Sequence, residues 1–319
     1  MSLKKEHGHI ITEIMMKDIF FRYYLVVMIA ILASSACYAQ TNQGYSKKKI
    51  QATTTKGSKS SGHKSKSKSS GRSHSSATPT AMSRQERDRI IQNLIANMVF
   101  VEGGTFTMGN TYLNTEWPNE LEMPAHQVKL SSYYIGRYEV TQAEWMAVMG
   151  SNPSVNQTDL NLPVEHVSWN ECQVFIKELN RLTKKRFRLP TEAEWEFAAR
   201  GGNKSRGYTY AGSDNIDDVA WYYDNSHTTQ YTFTHIVGKK LPNELGLYDM
   251  SGNVLEWCQS WYARYSANAE VNPKGPTKGK SRCLRGGQVN YSKSCCHVSY
   301  RGAQSPSYHT DEVGFRLAL

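Results

Sequence analysis

Residues 246–257 read GLYDMSGNVLEW and are the most informative stretch of this chain. Asp249 and Glu256 supply two carboxylates, and the glycine-containing turn between them can direct backbone carbonyls to the same point. Calcium prefers this mixture, because it takes six to eight oxygen ligands from carboxylates and carbonyls. A hydrogen-bonded turn with Glu256 as its cap and Trp257 in the core explains the same residues equally well. The spacing alone leaves both interpretations open.

A second informative stretch covers residues 284–319, LRGGQVNYSKSCCHVSYRGAQSPSYHTDEVGFRLAL. It opens with RGG at 285–287 and closes with GFR at 314–316, and no helical or strand period survives between them. This middle part is too polar for a core and too aromatic for a plain linker. Loops of this kind, held on a rigid scaffold, often carry binding or catalysis.

Three helix starts share one capping device. Residues 141–144, 168–171 and 191–194 all have the pattern Ser/Thr-x-x-Glu. The hydroxyl accepts from the backbone N–H three residues later, and the glutamate returns the hydrogen bond. Gly150 and Gly201 are placed to end two of these helices.

The segment before these helices predicts a helix followed by a hairpin. Apolar residues recur on one face of residues 83–97, which indicates a helix. Residues 98–104 then predict a strand that ends in a Gly-Gly turn, with residues 105–109 as its partner strand. After Gly201 the regular periods fade into short strands and turns.

Seven motifs in a fixed order connect the chain to a known family. They are MVFVEGGTFTMG (98–109), EVT (139–141), PVEHVSW (163–169), RLPTEAEWE with AARGG (188–202), GLYDMSGNVLEW (246–257), RGG (285–287) and GFR (314–316). Together they resemble the formylglycine-generating enzyme or sulfatase-modifying factor family, over about residues 98–319. The resemblance implies an α+β fold related to C-type lectins, with little regular secondary structure, in a single domain that we expect to cover residues 85–319.

The resemblance also implies a structural calcium ion. The family's ligands fall on Asp249, Gly252, Val254 and Glu256, with Gly252 and Val254 contributing backbone oxygens. A second calcium site of some members would lie near residues 219–222. That site is not expected here, because no acidic partners stand in register.

The copper site of the catalytic members is only half present. Those members hold copper between cysteines four and nine positions after the RGG glycines. Counted from Gly287, Cys296 stands at position nine, whereas Tyr291 stands at position four. Two thiolates suit Cu(I) and one does not, so copper is not expected and Cys296 is the one candidate catalytic residue. Its neighbour Cys295 is a poor substitute, and one of the two could instead pair with Cys258 or Cys283.

The segment between the RGG and GFR motifs therefore predicts binding more than oxidation. Tyrosine, serine and asparagine on a fixed frame are typical of recognition loops. The candidate ligand-binding residues are Gln288, Asn290, Tyr291, Ser292, Lys293, His297, Ser299, Tyr300, Gln304, Ser307, Tyr308 and His309. The chain also resembles the variable proteins of diversity-generating retroelements, which use this fold and vary such positions. The ligand could be a protein or a glycan. The alternative is a copper-dependent formylglycine-generating oxidase that acts on a substrate cysteine.

The net charge of +10 is confined to one segment. Residues 40–85 hold ten basic and no acidic residues, so the remainder from residue 86 is near neutral and predicts no specific nucleic-acid partner. Residues 40–84 predict a disordered linker rich in serine and lysine. Residues 1–39 predict an export signal with cleavage after Ala39, or a lipid anchor on Cys37 as the weaker alternative. We expect the protein to be located in the periplasm, on the outer-membrane surface or in the extracellular space. After removal of the signal we expect no membrane span.

Overall fold

The computed structural model describes residues 82–111, 120–226 and 233–319, all within the compact unit Pro79–Leu319. The predicted export signal and nearly all of the predicted linker lie outside these residues. No helix in the described part of the chain has the length and apolar character needed to cross a bilayer.

The predicted capping devices are confirmed. The helices are α1 Arg84–Ala96, α2 Gln142–Met149, α3 Trp169–Thr183, α4 Glu192–Ala199, α5 Ile216–Val219 and α6 Tyr223–Ser226. Both hydrogen bonds of the capping box are present at the starts of α2, α3 and α4. Gly150 ends α2 with a left-handed φ of 79°, which glycine adopts without steric cost.

Short strands form three small sheets in the described residues. The strands are β1 Met98–Val101, β2 Thr105–Met108, β3 His126–Lys129, β4 Tyr133–Gly136, β5 Leu255–Trp261, β6 Glu270–Val271, β7 Arg282–Arg285, β8 Arg301–Gln304 and β9 Val313–Gly314. Their orders are β1-β4, β2-β3-β6 and β8-β7-β5-β9. The β3–β6 and β5–β9 pairs are parallel and the others are antiparallel. This mixture of short helices and strands confirms the predicted fold class.

The predicted hairpin of β1 and β2 is wrong. β1 pairs with β4 and β2 pairs with β3, so the Gly-Gly turn connects two different sheets. A Cβ atom on Gly103 would lie 2.5 Å from the Leu130 carbonyl oxygen, and the Gly103 N–H donates to Ser132 Oγ at 3.0 Å. Leu130 N–H in turn donates to the Gly104 carbonyl at 2.8 Å. The glycines therefore serve a close backbone crossing and do not reverse the chain.

Aromatic residues join the C-terminal GFR motif to the helices. Trp145 of α2 stacks on Phe175 of α3 with ring centroids 5.1 Å apart. Phe315 meets both rings edge-on, at 6.1 and 5.4 Å. A second cluster contains Trp195 and Phe197 of α4, and it lies under β5 and β7. Through Phe315, the GFR motif that follows the start of β9 is thus part of the core.

We expect Thr191→Ala to lower the free energy of unfolding by about 1 kcal/mol, because it removes the N-cap hydroxyl of α4. Thermal unfolding should show a drop of roughly 2–4 °C. Thr277→Ala, at an exposed loop position, is the matched control and should leave the melting temperature unchanged. Equal melting temperatures for both variants would contradict the capping role of Thr191.

Candidate functional site

Two buried arginines face each other beneath the C-terminal segment. Arg285 on β7 and Arg301 on β8 are directly opposite in the register, with side chains 0% and 1% exposed. Like charges in this arrangement repel. Helix α4 supplies Glu192 and Glu196 from one face, since they are four residues apart. Arg301 donates to both Glu192 oxygens at 2.6 and 2.8 Å, and Arg285 Nη2 donates to Glu196. Each of the two facing arginines therefore has a carboxylate partner, and Glu196 also accepts from Arg200 Nε at 2.8 Å.

The electrostatics of Glu192 agree with this pairing. Burial raises the pKa of its carboxyl, but the positive charges of Arg301 and Arg285 outweigh burial, so the pKa lies below its usual value. Glu192 is therefore ionised in the folded protein at neutral pH. Its negative charge attracts Arg301 and Arg285 and so helps to hold β7 and β8 against α4.

Arg285 also holds the backbone of the loop between β7 and β8. Arg285 Nη1 donates to the Ser299 carbonyl at 2.7 Å and also to the Tyr300 carbonyl. Glu122, which is fully buried, accepts from Ser299 Oγ at 2.8 Å. His297 Nε2 lies 2.9 and 3.0 Å from its two oxygens. The middle of the loop is thus fixed by charged groups although it has little regular secondary structure.

Three of the predicted ligand-binding residues are buried and do not lie on the surface. Gln288, His297 and Ser299 are 1%, 5% and 0% exposed. Gln288 Nε2 donates to Glu312 at 3.1 Å, and its Oε1 accepts from the Asn290 N–H at 2.5 Å. Gln288, Ser299 Oγ and His297 Nε2 have partners inside the protein, so the expectation that all of residues 288–311 are presented is corrected at these positions. They support the surface from below.

The remaining nine residues are half-buried or exposed, and we call them the presented surface. They are Asn290, Tyr291, Ser292, Lys293, Tyr300, Gln304, Ser307, Tyr308 and His309. The three tyrosines pack partly against the core, and the rings of Tyr291 and Tyr300 lie 6.1 Å apart. Tyrosine offers a rigid apolar ring with a polar end, which suits recognition.

The turn before α3 supports the end of the presented surface. His166, in a left-handed conformation with φ 63°, donates its N–H to the Thr310 carbonyl at 2.9 Å. Its ring meets His309 edge-on, with centroids 4.6 Å apart. On the other side, Tyr223 of α6 donates its N–H to the Tyr291 carbonyl at 3.0 Å. These neighbours were not predicted, because no local sequence pattern links positions so far apart.

Glu165 is a buried carboxyl beside this surface. It is 0% exposed, its Oε1 accepts from the Asn156 N–H at 2.9 Å, and its Oε2 has no hydrogen-bond partner. Burial raises its pKa to about 7, and the charges of Asp311 and Glu312 add to the effect. Burial likewise raises the pKa of Glu312. Glu165 belongs to the motif at 163–169, but nothing in that motif indicates its burial, because residues around Glu165, such as Asp311 and Glu312, come from a distant part of the chain.

The two carboxylates of the turn at 246–257 have different partners. Asp249 Oδ2 accepts from the Gly238 N–H at 2.7 Å, whereas its Oδ1 is buried without a partner. Burial raises the pKa of Asp249 to about 6. Glu256 accepts from Arg316 Nε and Nη2, both at 2.6 Å, and from Trp195 Nε1 at 2.7 Å. Gly252 has φ 81°, and a Cβ atom there would overlap the Trp221 carbonyl.

The four predicted calcium ligands fit a cation in part. The unpartnered Oδ1 of Asp249 is a buried oxygen that suits a hard ion. Glu256 fits less well, because the guanidinium of Arg316 already neutralises it. Within residues 82–111, 120–226 and 233–319, no three His, Cys, Asp or Glu side chains are grouped to hold a metal. A calcium ion would therefore depend on Asp249 and on the carbonyls of Gly252 and Val254, and it stays a prediction.

Cys296 lies in a small apolar cluster with Tyr210, Tyr222 and Val219. Its Sγ is 3.8 Å from the Ser292 carbonyl, and a Cβ atom on Gly287 would lie 2.7 Å from that sulfur. All five described cysteines are buried thiols, so the alternative disulfides of the doublet with Cys258 or Cys283 are not formed. Tyr291, at the position of the family's other copper cysteine, packs toward Tyr300.

Glu165→Gln should change the pH dependence of stability. Unfolded Glu165 titrates near its ordinary value of 4.5 and folded Glu165 near 7, so the folded state keeps its proton longer. Wild type therefore loses stability as pH rises from 4.5 to 7. The neutral variant should match wild type at pH 4 and exceed it by about 2–3 kcal/mol at pH 8 in urea unfolding. The exposed control Glu102→Gln should show no such difference. A stability difference independent of pH would contradict the assignment.

Comparisons with known proteins agree with the motifs. The sulfatase-modifying factor enzyme 1-like domain matches residues 83–319. Chaperone protein LppX of Paenibacillus barcinonensis is 34% identical, covering 69% of this chain and 88% of that protein. The formylglycine-generating enzyme of Thermomonospora curvata is 30% identical, covering 71% and 94%. Among solved structures, Treponema denticola variable protein 1 has a TM-score of 0.62 at 32% identity, covering 69% and 94%. PvdO from Pseudomonas aeruginosa has a TM-score of 0.59 at 28% identity, covering 69% and 93%. The chain therefore belongs to the family of the sulfatase-modifying factor enzyme 1-like domain.

Proposed function

We propose that this chain is an exported, non-catalytic member of its family that binds a protein or glycan ligand through the presented surface. One observation carries the proposal: a segment with little regular structure is held by buried ion pairs and displays half-buried tyrosines. Arg285 fixes its backbone at Ser299 and Tyr300, and Glu122 fixes it at Ser299 and His297. The protein would bind this ligand at the cell envelope or in the extracellular space.

Rigidity matters because binding costs the entropy of ordering side chains and loops. A loop already fixed by charged groups has little more to lose when a ligand arrives. Tyr291, Tyr300 and Tyr308 have part of each ring packed against the core, so their rotamers are restricted before binding. Serine, lysine and histidine around them supply adaptable hydrogen bonds.

The similarity to Treponema denticola variable protein 1 supports a further part of the proposal. We infer that residues of the presented surface vary between copies of the gene, whereas the supporting residues do not. Sequencing around the gene tests this. A reverse transcriptase gene beside a near-copy of the 3′ end that differs at adenines would agree with variation. Identical presented residues in many isolates would contradict it.

An oxidase is the second candidate, because Cys296 keeps the register of one copper cysteine and a formylglycine-generating enzyme is a close relative in sequence. Tyr291 at the other position argues against it. Protein reconstituted with Cu(I) should not convert a Cys-x-Pro-x-Arg peptide to formylglycine. Conversion that is lost in Cys296→Ser would overturn the non-catalytic proposal.

Replacing the tyrosines of the presented surface should weaken binding without unfolding the protein. We expect Tyr300→Ser and Tyr308→Ser each to weaken binding to a glycan-array hit or a cross-linked envelope protein by about tenfold or more. Tyr134→Ser is the control, because Tyr134 is 42% exposed and lies on β4, outside the surface. Equal loss in all three variants, or no loss, would contradict the assignment.

We propose that calcium binds at Asp249 and stabilises the turn. At calcium about a hundredfold above its Kd, the melting temperature should exceed that in chelator by roughly 5–10 °C. Asp249→Asn should abolish the difference, because it removes the charge of the unpartnered carboxylate. Asp224→Asn, an exposed position on α6, should keep it. Identical melting curves of wild type with calcium and with chelator would overturn the calcium proposal.

A further inference from the structure

A cleft of about 230 Å³ is lined by residues outside the presented surface. Its lining comes from the ends of β2 and β5, the starts of β3, α4 and β8, and residues 263–276. None of the nine residues of the presented surface contributes to it. It is therefore a second concave site, formed by other parts of the chain.

The floor of the cleft contains the ion pair between Glu192 and Arg301. Their charges cancel, so the floor is polar without being acidic. Arg301 has five N–H donors. Four of its hydrogen bonds go to the Glu192 carboxylate and to the carbonyls of Leu121 and Ala263. One donor on Nη1 is left for a ligand in the floor.

The aromatic walls are fixed before any ligand arrives. Trp261 stacks on Arg282, whose guanidinium carbon is 3.5 Å from the ring centroid and 3.8 Å from the ring of Trp169 on its other side. The guanidinium of Arg301 covers the ring of Tyr265 at 3.7 Å. Walls held in this way lose little freedom on binding, which favours affinity for a small ligand.

The rim gives the cleft its charge. Arg264 and Lys274 are exposed, and Glu270 is half-buried. Since the floor pair is neutral, two bases stand against one acid at the entrance. A pocket with apolar walls, a donor in its floor and an excess of positive charge at its rim favours a negatively charged ligand.

We propose that this cleft is a binding site for a small organic anion, a carboxylate on a single ring or a body of similar size. The volume is below the range of about 300–1,000 Å³ that holds drug-sized ligands, which limits the ligand to one ring. The carboxylate lies between the rim bases and the Arg301 donor, and the ring lies against Trp261 and Tyr265. This site is independent of the ligand of the presented surface.

Benzoate and its neutral isostere benzamide test the charge requirement on the full chain by calorimetric titration. Benzoate should bind about tenfold more tightly than benzamide, because each of the two exposed rim bases contributes about one-and-a-half- to fivefold. The double variant Arg264→Gln, Lys274→Gln should weaken benzoate by about tenfold and leave benzamide unchanged. The control Lys278→Gln, Lys280→Gln removes two exposed bases of the same loop that do not line the cleft, and it should bind as wild type does.

Three results would overturn the proposal. They are the absence of benzoate binding, equal affinity for both probes, and equal weakening in the two double variants. Because both variants change exposed side chains, they are expected to fold, and unchanged melting temperatures would verify this. Tyr300→Ser should leave benzoate affinity unchanged, which separates this site from the presented surface.

Discussion

The fold depends on the neutralisation of two arginines that face each other across β7 and β8. Neither Arg285 nor Arg301 could remain buried at this distance from the other without Glu192 and Glu196 on one face of α4. Breaking one such pair leaves an uncompensated buried charge, at a cost of about 3–5 kcal/mol. The helix, the sheet and the loop above them are therefore one electrostatic unit. The loop carries the presented surface, and the same ion pair forms the floor of the cleft.

Local signals predicted the local structure. The three capping boxes were correct because each depends on residues three positions apart. The hairpin was wrong because Gly103 meets Leu130, a contact that local strand and turn signals cannot reveal. Burial of His297 was missed for the same reason, since its partner Glu122 is distant in sequence. The order of motifs compensated for this limit at the level of the fold.

The candidate site shows how one motif can serve two purposes. Asp249 and Glu256 looked equivalent in the sequence, yet Glu256 pairs with Arg316 while one oxygen of Asp249 has no partner. Burial depresses ionisation of Asp249 and would favour a proton or a cation at that oxygen. The difference arises from Arg316, which lies 60 residues beyond Glu256. Spacing within the motif therefore could not assign the two roles.

The contacts of residues 316–319 have a consequence for how the chain acquires its structure. Arg316 donates to the Gly136 carbonyl at 3.1 Å, and Leu319 exchanges backbone hydrogen bonds with Tyr134 at 3.1 and 2.9 Å. Some hydrogen bonds of β4 therefore need residues that lie about 180 positions later in the chain. High contact order of this kind slows folding and delays it until most of the chain has been made. The domain should therefore complete its folding only after its C-terminal residues have been synthesised.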